Sequence, residues 1–181
     1  MNRIKQNQMV RLAFFTAFAV SVYVLESFIP KPLPFLRLGL SNIVILLLLS
    51  SQEYKSAFIV ALSKTVIGGF FSGALISPTT LLSLSGTTIS LLAMILALKI
   101  QLRFSLIGLS ILGAVLHNIT QIVVVRLLLI RHDTIFYLTP LLILTGIATG
   151  IITGYLAYLL SDSLRLTENE NLINESNKGL A

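Results

Sequence analysis

Six apolar runs, at 11–29, 36–51, 56–71, 79–98, 104–130 and 135–160, fill most of the chain and are parted only by short polar or proline-rich segments. About 20 apolar residues carry a helix across a bilayer, and in hydrocarbon only a helix or a closed barrel satisfies its own backbone hydrogen bonds. The pattern predicts an all-α, polytopic membrane bundle of six transmembrane helices. The second and third runs are short for a full span, which predicts tilt, partial re-entry or extension by flanking polar residues. The first run continues to Glu26 and a proline cluster without a small-residue cleavage site, so it reads as a span and not as a signal peptide.

Composition agrees with the pattern. With 55% apolar and 11% charged residues, an ordinary soluble domain is excluded. The 181 residues divide into a cytoplasmic N-terminal segment at 1–10, a six-helix membrane domain at 11–160 and a disordered cytoplasmic tail at 161–181, rich in Asn, Glu and Ser with little to bury. No room is left for a fused ATPase, and no Gly-x-x-x-x-Gly-Lys-Ser/Thr phosphate loop occurs. Cysteine is absent, which removes disulfides, thiolate metal sites and cysteine nucleophiles. The net charge of +6 does not signal nucleic acid, because the basic residues sit at the ends of apolar runs and are not interleaved with exposed aromatics.

Those basic residues weigh on alternate sides. Arg3, Lys5, Arg11, Lys55, Lys99, Arg103, Arg165 and Lys178 fall on one, against Lys31, Arg37, Arg126 and Arg131 on the other. By the positive-inside rule the protein sits in the cell membrane with both termini cytoplasmic.

Against this background four ionisable residues stand out: Glu26, Arg37, Lys64 and His117. A charge within a membrane span costs at least a few kcal/mol, roughly, and faces a protein interior or a watery cavity. Lys64 lies mid-run, several residues from either end; it is either half of a structural pair with Glu26 or a contact for a substrate, ion or headgroup. Arg37 stands beside the start of the second helix, whose free N–H groups also favour an anion. The alternatives for Arg37 are a loop-holding pair with Glu26 or snorkelling to headgroups. Ser110, Gly113, His117 and Gln121 share one helical face, with Asn118 on its flank. No second His or Cys lies at ligand spacing, so no metal site is predicted. Helix four begins Ser83-Leu84-Ser85-Gly86-Thr87-Thr88, where small and hydroxyl residues allow either a locally unwound, ligand-binding segment or ordinary close packing.

Two small-residue ridges concern helix packing. Gly146, Gly150 and Gly154 in helix six predict tight contact within the bundle. Ala13 and Ala17 in helix one either pack inside the bundle or seat a partner's helix.

Taken in order, Glu-x-x-Ile-Pro at 26–30, Arg-Leu-Gly-Leu-Ser-Asn at 37–42, Leu-Ser-Leu-Ser-Gly within 81–86, Gly-Ala-Val-Leu-His-Asn-Ile-Thr-Gln at 113–121 and Tyr-Leu-Thr-Pro-Leu at 137–141 resemble the Gx transporter family, also labelled heptaprenyl diphosphate synthase component I. That family looks related to the substrate-binding S-components of energy-coupling-factor importers. Together with the polar residues above, the resemblance predicts a non-enzymatic membrane subunit without a cofactor, binding a small vitamin-, flavin- or isoprenoid-like substrate through Glu26, Arg37, Asn42, Lys64, Ser85, His117, Asn118 and Gln121. It implies further that Ala13 and Ala17 dock a transmembrane coupling subunit, which works with ATPases, and that membrane lipid surrounds the whole. Lys64 departs from the family pattern, which favours Arg there and with it bidentate anion recognition. The enzymatic label conflicts with the residues: prenyl diphosphate synthases hold magnesium diphosphate on Asp clusters, whereas Asp133 and Asp162 are the chain's two aspartates and lie far apart. A non-catalytic role beside a prenyl synthase, or in a membrane electron-transfer assembly, remains the alternative.

Overall fold

The structure is a computed structural model that describes residues 3–29, 39–102, 104–129 and 132–179, with side-chain surroundings within 6–164. Its elements are α1 (Arg3–Phe28), α2 (Asn42–Ser50), α3 (Tyr54–Phe71), α4 (Pro78–Lys99), α5 (Leu106–Leu128) and α6 (Thr139–Gly179), with a 3₁₀ turn at Asp133–Leu138 leading into α6. No strand occurs among the described residues. The fold is all-α. Four helical stretches, Gln8–Phe28, Pro78–Lys99, Leu106–Leu128 and Asp133–Leu164, are long and apolar enough to cross a membrane.

The two short runs behave differently. At nine residues, α2 rises about 14 Å, less than half of a roughly 30 Å hydrocarbon layer. Val44, Ile45, Leu46, Leu48 and Leu49 are all buried in it, as expected of a helix that is apolar all round and enclosed by protein. It is the centre of the larger core cluster, packed with Ala57, Val60 and Ala61 of α3, Leu91 and Met94 of α4, Leu109 of α5 and Ala157 of α6. At 18 residues α3 rises about 27 Å and comes closer to a full span. Its outer face is apolar, and Lys64 lies buried on its inner face.

Local chemistry fixes the helix ends. Ser105 caps α5 by accepting from the Gly108 N–H at 3.1 Å, and Pro78 occupies the first turn of α4, where its missing N–H costs nothing. The ends of α2, α3 and α4 share one geometry. Gln52, Gly73 and Gln101 take positive φ, and the next residue's N–H reaches back to Leu48, Gly69 and Ala97 at 2.9, 2.9 and 3.1 Å. These are Schellman terminations, with glutamine twice where glycine is usual.

The glycine ridge of α6 packs on α5. A Cβ on Gly146, Gly150 or Gly154 would meet the Cα of Val115, Ile111 or Ile107 at 3.1, 2.7 and 2.7 Å. The partners descend by four residues as the glycines ascend by four, the register of two antiparallel helices in backbone contact. The backbone of α6 continues in helical form to Gly179, over most of the 161–181 stretch for which composition predicts disorder. Its leucines, glutamates and Arg165 are good helix formers, and propensity acts there with few apolar residues to support it.

Candidate functional site

A polar cavity of about 50 Å³ lies between α1, the start of α2 and the inner faces of α3 to α6. One end is charged. Glu26, 3% exposed, and Lys64, 2% exposed, both line it. Both also grip the same turn: Glu26 Oε1 accepts from the Leu40 N–H at 2.9 Å, while Lys64 Nζ donates to Ser41 Oγ at 3.0 Å and to Asn42 Oδ1. The turn itself depends on Gly39, whose φ of +78° few other residues adopt. The carboxylate and the ammonium thus anchor the entry to α2 and border the cavity there.

His117 of α5 and Tyr23 of α1 also line the cavity. His117 Nε2 lies 3.0 Å from Gln121 Nε2, one turn away, and Tyr23 Oη donates to Ser83 Oγ at 3.4 Å. Three cavity side chains are seated on glycines of a facing helix. A Cβ on Gly68 would come within 2.3 Å of the Tyr23 ring, one on Gly86 within 2.9 Å of the His117 ring, and one on Gly113 within 2.7 Å of Met94 Sδ. Hydroxyls from three helices line the cavity as well: Ser83, Thr87 and Ser90 of α4, Ser110 of α5, and Thr149 and Thr153 of α6.

Of the residues singled out from the sequence, Glu26, Asn42, Lys64, His117 and Asn118 line this cavity together. Gln121 lies behind it, buried and bonded to His117. The Asn118 amide also crosses to α6, donating to the Leu142 carbonyl at 2.8 Å. Arg37 lies outside the described residues. Ser85 does not line the cavity, and its hydroxyl bonds back to the Leu82 carbonyl at 3.0 Å. The reason is helical phase: positions 83, 87 and 90 share one face, and 85 lies about 200° from 83. Nor is α4 unwound at Gly86, since the helix is continuous from Pro78 to Lys99. The glycine admits the His117 ring and opens no backbone. The hydroxyl faces of α4 and α6 were not singled out as binding residues, although the spacings 83/87/90 and 149/153 carry the signal.

At about 50 Å³ the cavity accepts a few waters, each needing roughly 10–15 Å³ by this measure. Sites for drug-sized ligands enclose roughly 300–1,000 Å³, so a vitamin-sized molecule enters only if the lining helices part. Among the described residues no three His, Cys, Asp or Glu come together as a metal centre. Asp133 forms an ion pair with Arg126 of α5 at 2.9 Å, and neither residue lines the cavity.

The family model for heptaprenyl diphosphate synthase component I matches residues 15–160. The chain belongs to that family. The matched stretch contains every cavity-lining residue from Tyr23 to Thr153, and Ala17 but not Ala13 of the α1 ridge. No curated protein and no solved structure is matched. The chain is thus a membrane-type helical protein of that family.

Proposed function

We propose that this component I protein is the substrate-binding membrane subunit of an importer of the energy-coupling-factor type. One observation carries the reading: a carboxylate, an ammonium and an imidazole line one cavity with hydroxyls from three helices, inside helices otherwise apolar. Ionisable groups held this way mark substrate or ion sites in membrane proteins. The substrate is a small vitamin-, flavin- or isoprenoid-like molecule, bound through Glu26, Arg37, Asn42, Lys64, His117, Asn118 and Gln121, with the Ser83, Thr87 and Ser90 face of α4 taking the part expected of Ser85. Mass spectrometry of small molecules that co-purify with the full chain tests this, and their absence from protein prepared from substrate-replete cells counts against it.

Six membrane helices of S-component type, with both termini cytoplasmic, complete the proposal. A reporter fused after Ser163 then reads cytoplasmic and one inserted near Thr134 reads external, and the opposite result inverts the orientation. The energy comes from partner ATPases through a coupling subunit. Ala13 and Ala17 are exposed in an apolar groove of about 610 Å³ between α1 and α3, bordered by Leu12, Val20, Ile59, Ile67 and Phe71. Small residues at four-residue spacing let another helix approach closely, and a transmembrane helix of the coupling subunit is the occupant of matching chemistry.

The family name supports a second reading, a non-catalytic membrane component beside a prenyl diphosphate synthase. An empty cavity together with a stable synthase complex after mild solubilisation would favour it over the importer.

A further inference from the structure

A serine or threonine in a membrane helix can return its hydroxyl proton to a carbonyl one turn back. Thr65, Thr88, Ser90 and Thr149 do so, at 3.0, 2.8, 3.1 and 2.9 Å. Thr87 of α4 and Ser110 of α5 do not. Both are buried, at 5% and 6% exposure, and both line the cavity, yet neither hydroxyl has a hydrogen-bond partner among the described residues. A hydroxyl offers one donor and two acceptor positions, and covering it with apolar matter forfeits every bond it made to water.

The two hydroxyls stand at different levels of the bundle. Gly86 of α4 meets the His117 ring and Met94 of α4 meets Gly113, so α4 and α5 run antiparallel and Thr87 lies near the level of His117. Ser110 is seven residues further along α5, roughly 10 Å of helix. No single small polar group reaches both.

We propose that Thr87 and Ser110 are specificity residues of the cavity, each completing its hydrogen bonds on the substrate, and that the substrate is a compact molecule with hydroxyl, amine or carbonyl groups at more than one point along it. This rests on the importer reading and sorts the substrates that reading allows. Vitamin- and flavin-like molecules with such groups are accepted, and an isoprenoid is rejected. A prenyl chain is polar only at its head, so wherever the head sits, one of the two hydroxyls is sealed against hydrocarbon. A site built to hydrogen-bond its substrate discriminates far more strongly against a ligand that lacks the group than an apolar pocket does against one that adds it.

Mass spectrometry of small molecules that co-purify with the full chain tests the assignment. The wild type should yield a molecule bearing several hydroxyl, amine or carbonyl groups, and Thr87→Val combined with Ser110→Ala should cut its recovery at least tenfold. On protein washed free of ligand, the midpoint of thermal unfolding of that double variant should stay level or rise, because no hydrogen bond within the protein is lost. Ser85→Ala, whose hydroxyl lies off the cavity, should leave recovery unchanged. Farnesyl diphosphate, added as an isoprenoid probe, should not raise the wild-type midpoint. A co-purifying isoprenoid, a farnesyl diphosphate shift, undiminished recovery from the double variant or a lower midpoint in it each overturns the inference and leaves the importer reading standing. Should the double variant not fold, the single variants are read by the same criteria. No co-purifying molecule from the wild type fails the importer reading, and this inference with it.

Discussion

The ring of Tyr23 lies directly on Gly68, so close that a Cβ there would sit 2.3 Å from the ring's Cδ1. This contact brings α1 against α3 at the level of the cavity, and it aims the Tyr23 hydroxyl at Ser83 of α4, 3.4 Å away. Both Tyr23 and Gly68 are buried, so the ring has little room to yield. Gly68→Ala should destabilise the protein by about 1–3 kcal/mol, the usual range for overpacking. Gly73→Ala is the contrast: nothing lies within 4 Å of its added Cβ, and it should lose only about 1–2 kcal/mol from left-handed backbone strain. Thermal unfolding in detergent checks both, and in a Tyr23→Ala background the Gly68→Ala loss should nearly vanish while the Gly73→Ala loss persists.

The helix ends offer a stabilising change. Gln52 and Gln101 hold φ of +59° and +57° at Schellman positions, where an L-residue with a Cβ is strained by roughly 1–2 kcal/mol. Glycine removes that strain and returns about 0.5–1 kcal/mol of it as extra unfolded-state entropy. Gln52→Gly and Gln101→Gly should each raise stability by about 0.5–1 kcal/mol, seen as a higher midpoint of thermal unfolding. Lower midpoints for both would mean that the glutamine side chains make contacts worth more than the strain.

Much of the fold was legible in the chain because lipid imposes a simple rule: apolar length becomes helix. That rule located α1, α4, α5 and α6 from hydropathy alone, and it flagged the second and third runs as short. It could not say that α2 would be enclosed by the bundle, because an all-apolar nine-residue helix reads the same whether lipid or protein surrounds it. The site was legible where a residue is expensive. Glu26, Lys64 and His117 stood out because burying an ionisable group demands a reason, and all three meet at one cavity. The hydroxyls were not, since Ser and Thr satisfy themselves on helix carbonyls, and only helical phase separates Ser83 and Thr87 on the cavity wall from Ser85 off it. Gly86 was legible as a special position but not in kind, because the ring that fills its space comes from another helix.

Partner docking can be separated from folding at Ala13 and Ala17. Both are exposed in this structure, so larger side chains there meet open groove and not the core. Replacing both with Leu should abolish co-purification with a coupling subunit while stability, read from thermal unfolding, stays within the roughly ±0.5 kcal/mol of an ordinary surface change. Retained co-purification, or a large drop in stability, would tell against a docking role.

The proposed site gives Lys64 a second duty beside its structural one, and different variants can pull the two apart. Its Nζ bonds Ser41 and Asn42 at the entry to α2, so Lys64→Met should destabilise the protein by roughly 1–3 kcal/mol, the cost of leaving buried partners unmade. A ligand contact adds a separate loss. Measured on the folded fraction, binding of the co-purified ligand should weaken at least tenfold, about 1.4 kcal/mol. Lys64→Arg, which keeps the charge but not the reach to both oxygens, should restore more binding than stability. Glu26→Gln keeps a side-chain oxygen to accept the Leu40 N–H and removes only the charge. If the carboxylate's charge serves mainly to balance Lys64, this variant should be less stable alone and partly rescued in the double mutant with Lys64→Met, a coupling that a mutant cycle reads directly. Full binding by Lys64→Met, with all of its defect recovered in that double mutant, would reduce Lys64 to a structural residue and remove the ammonium from the proposed ligand site.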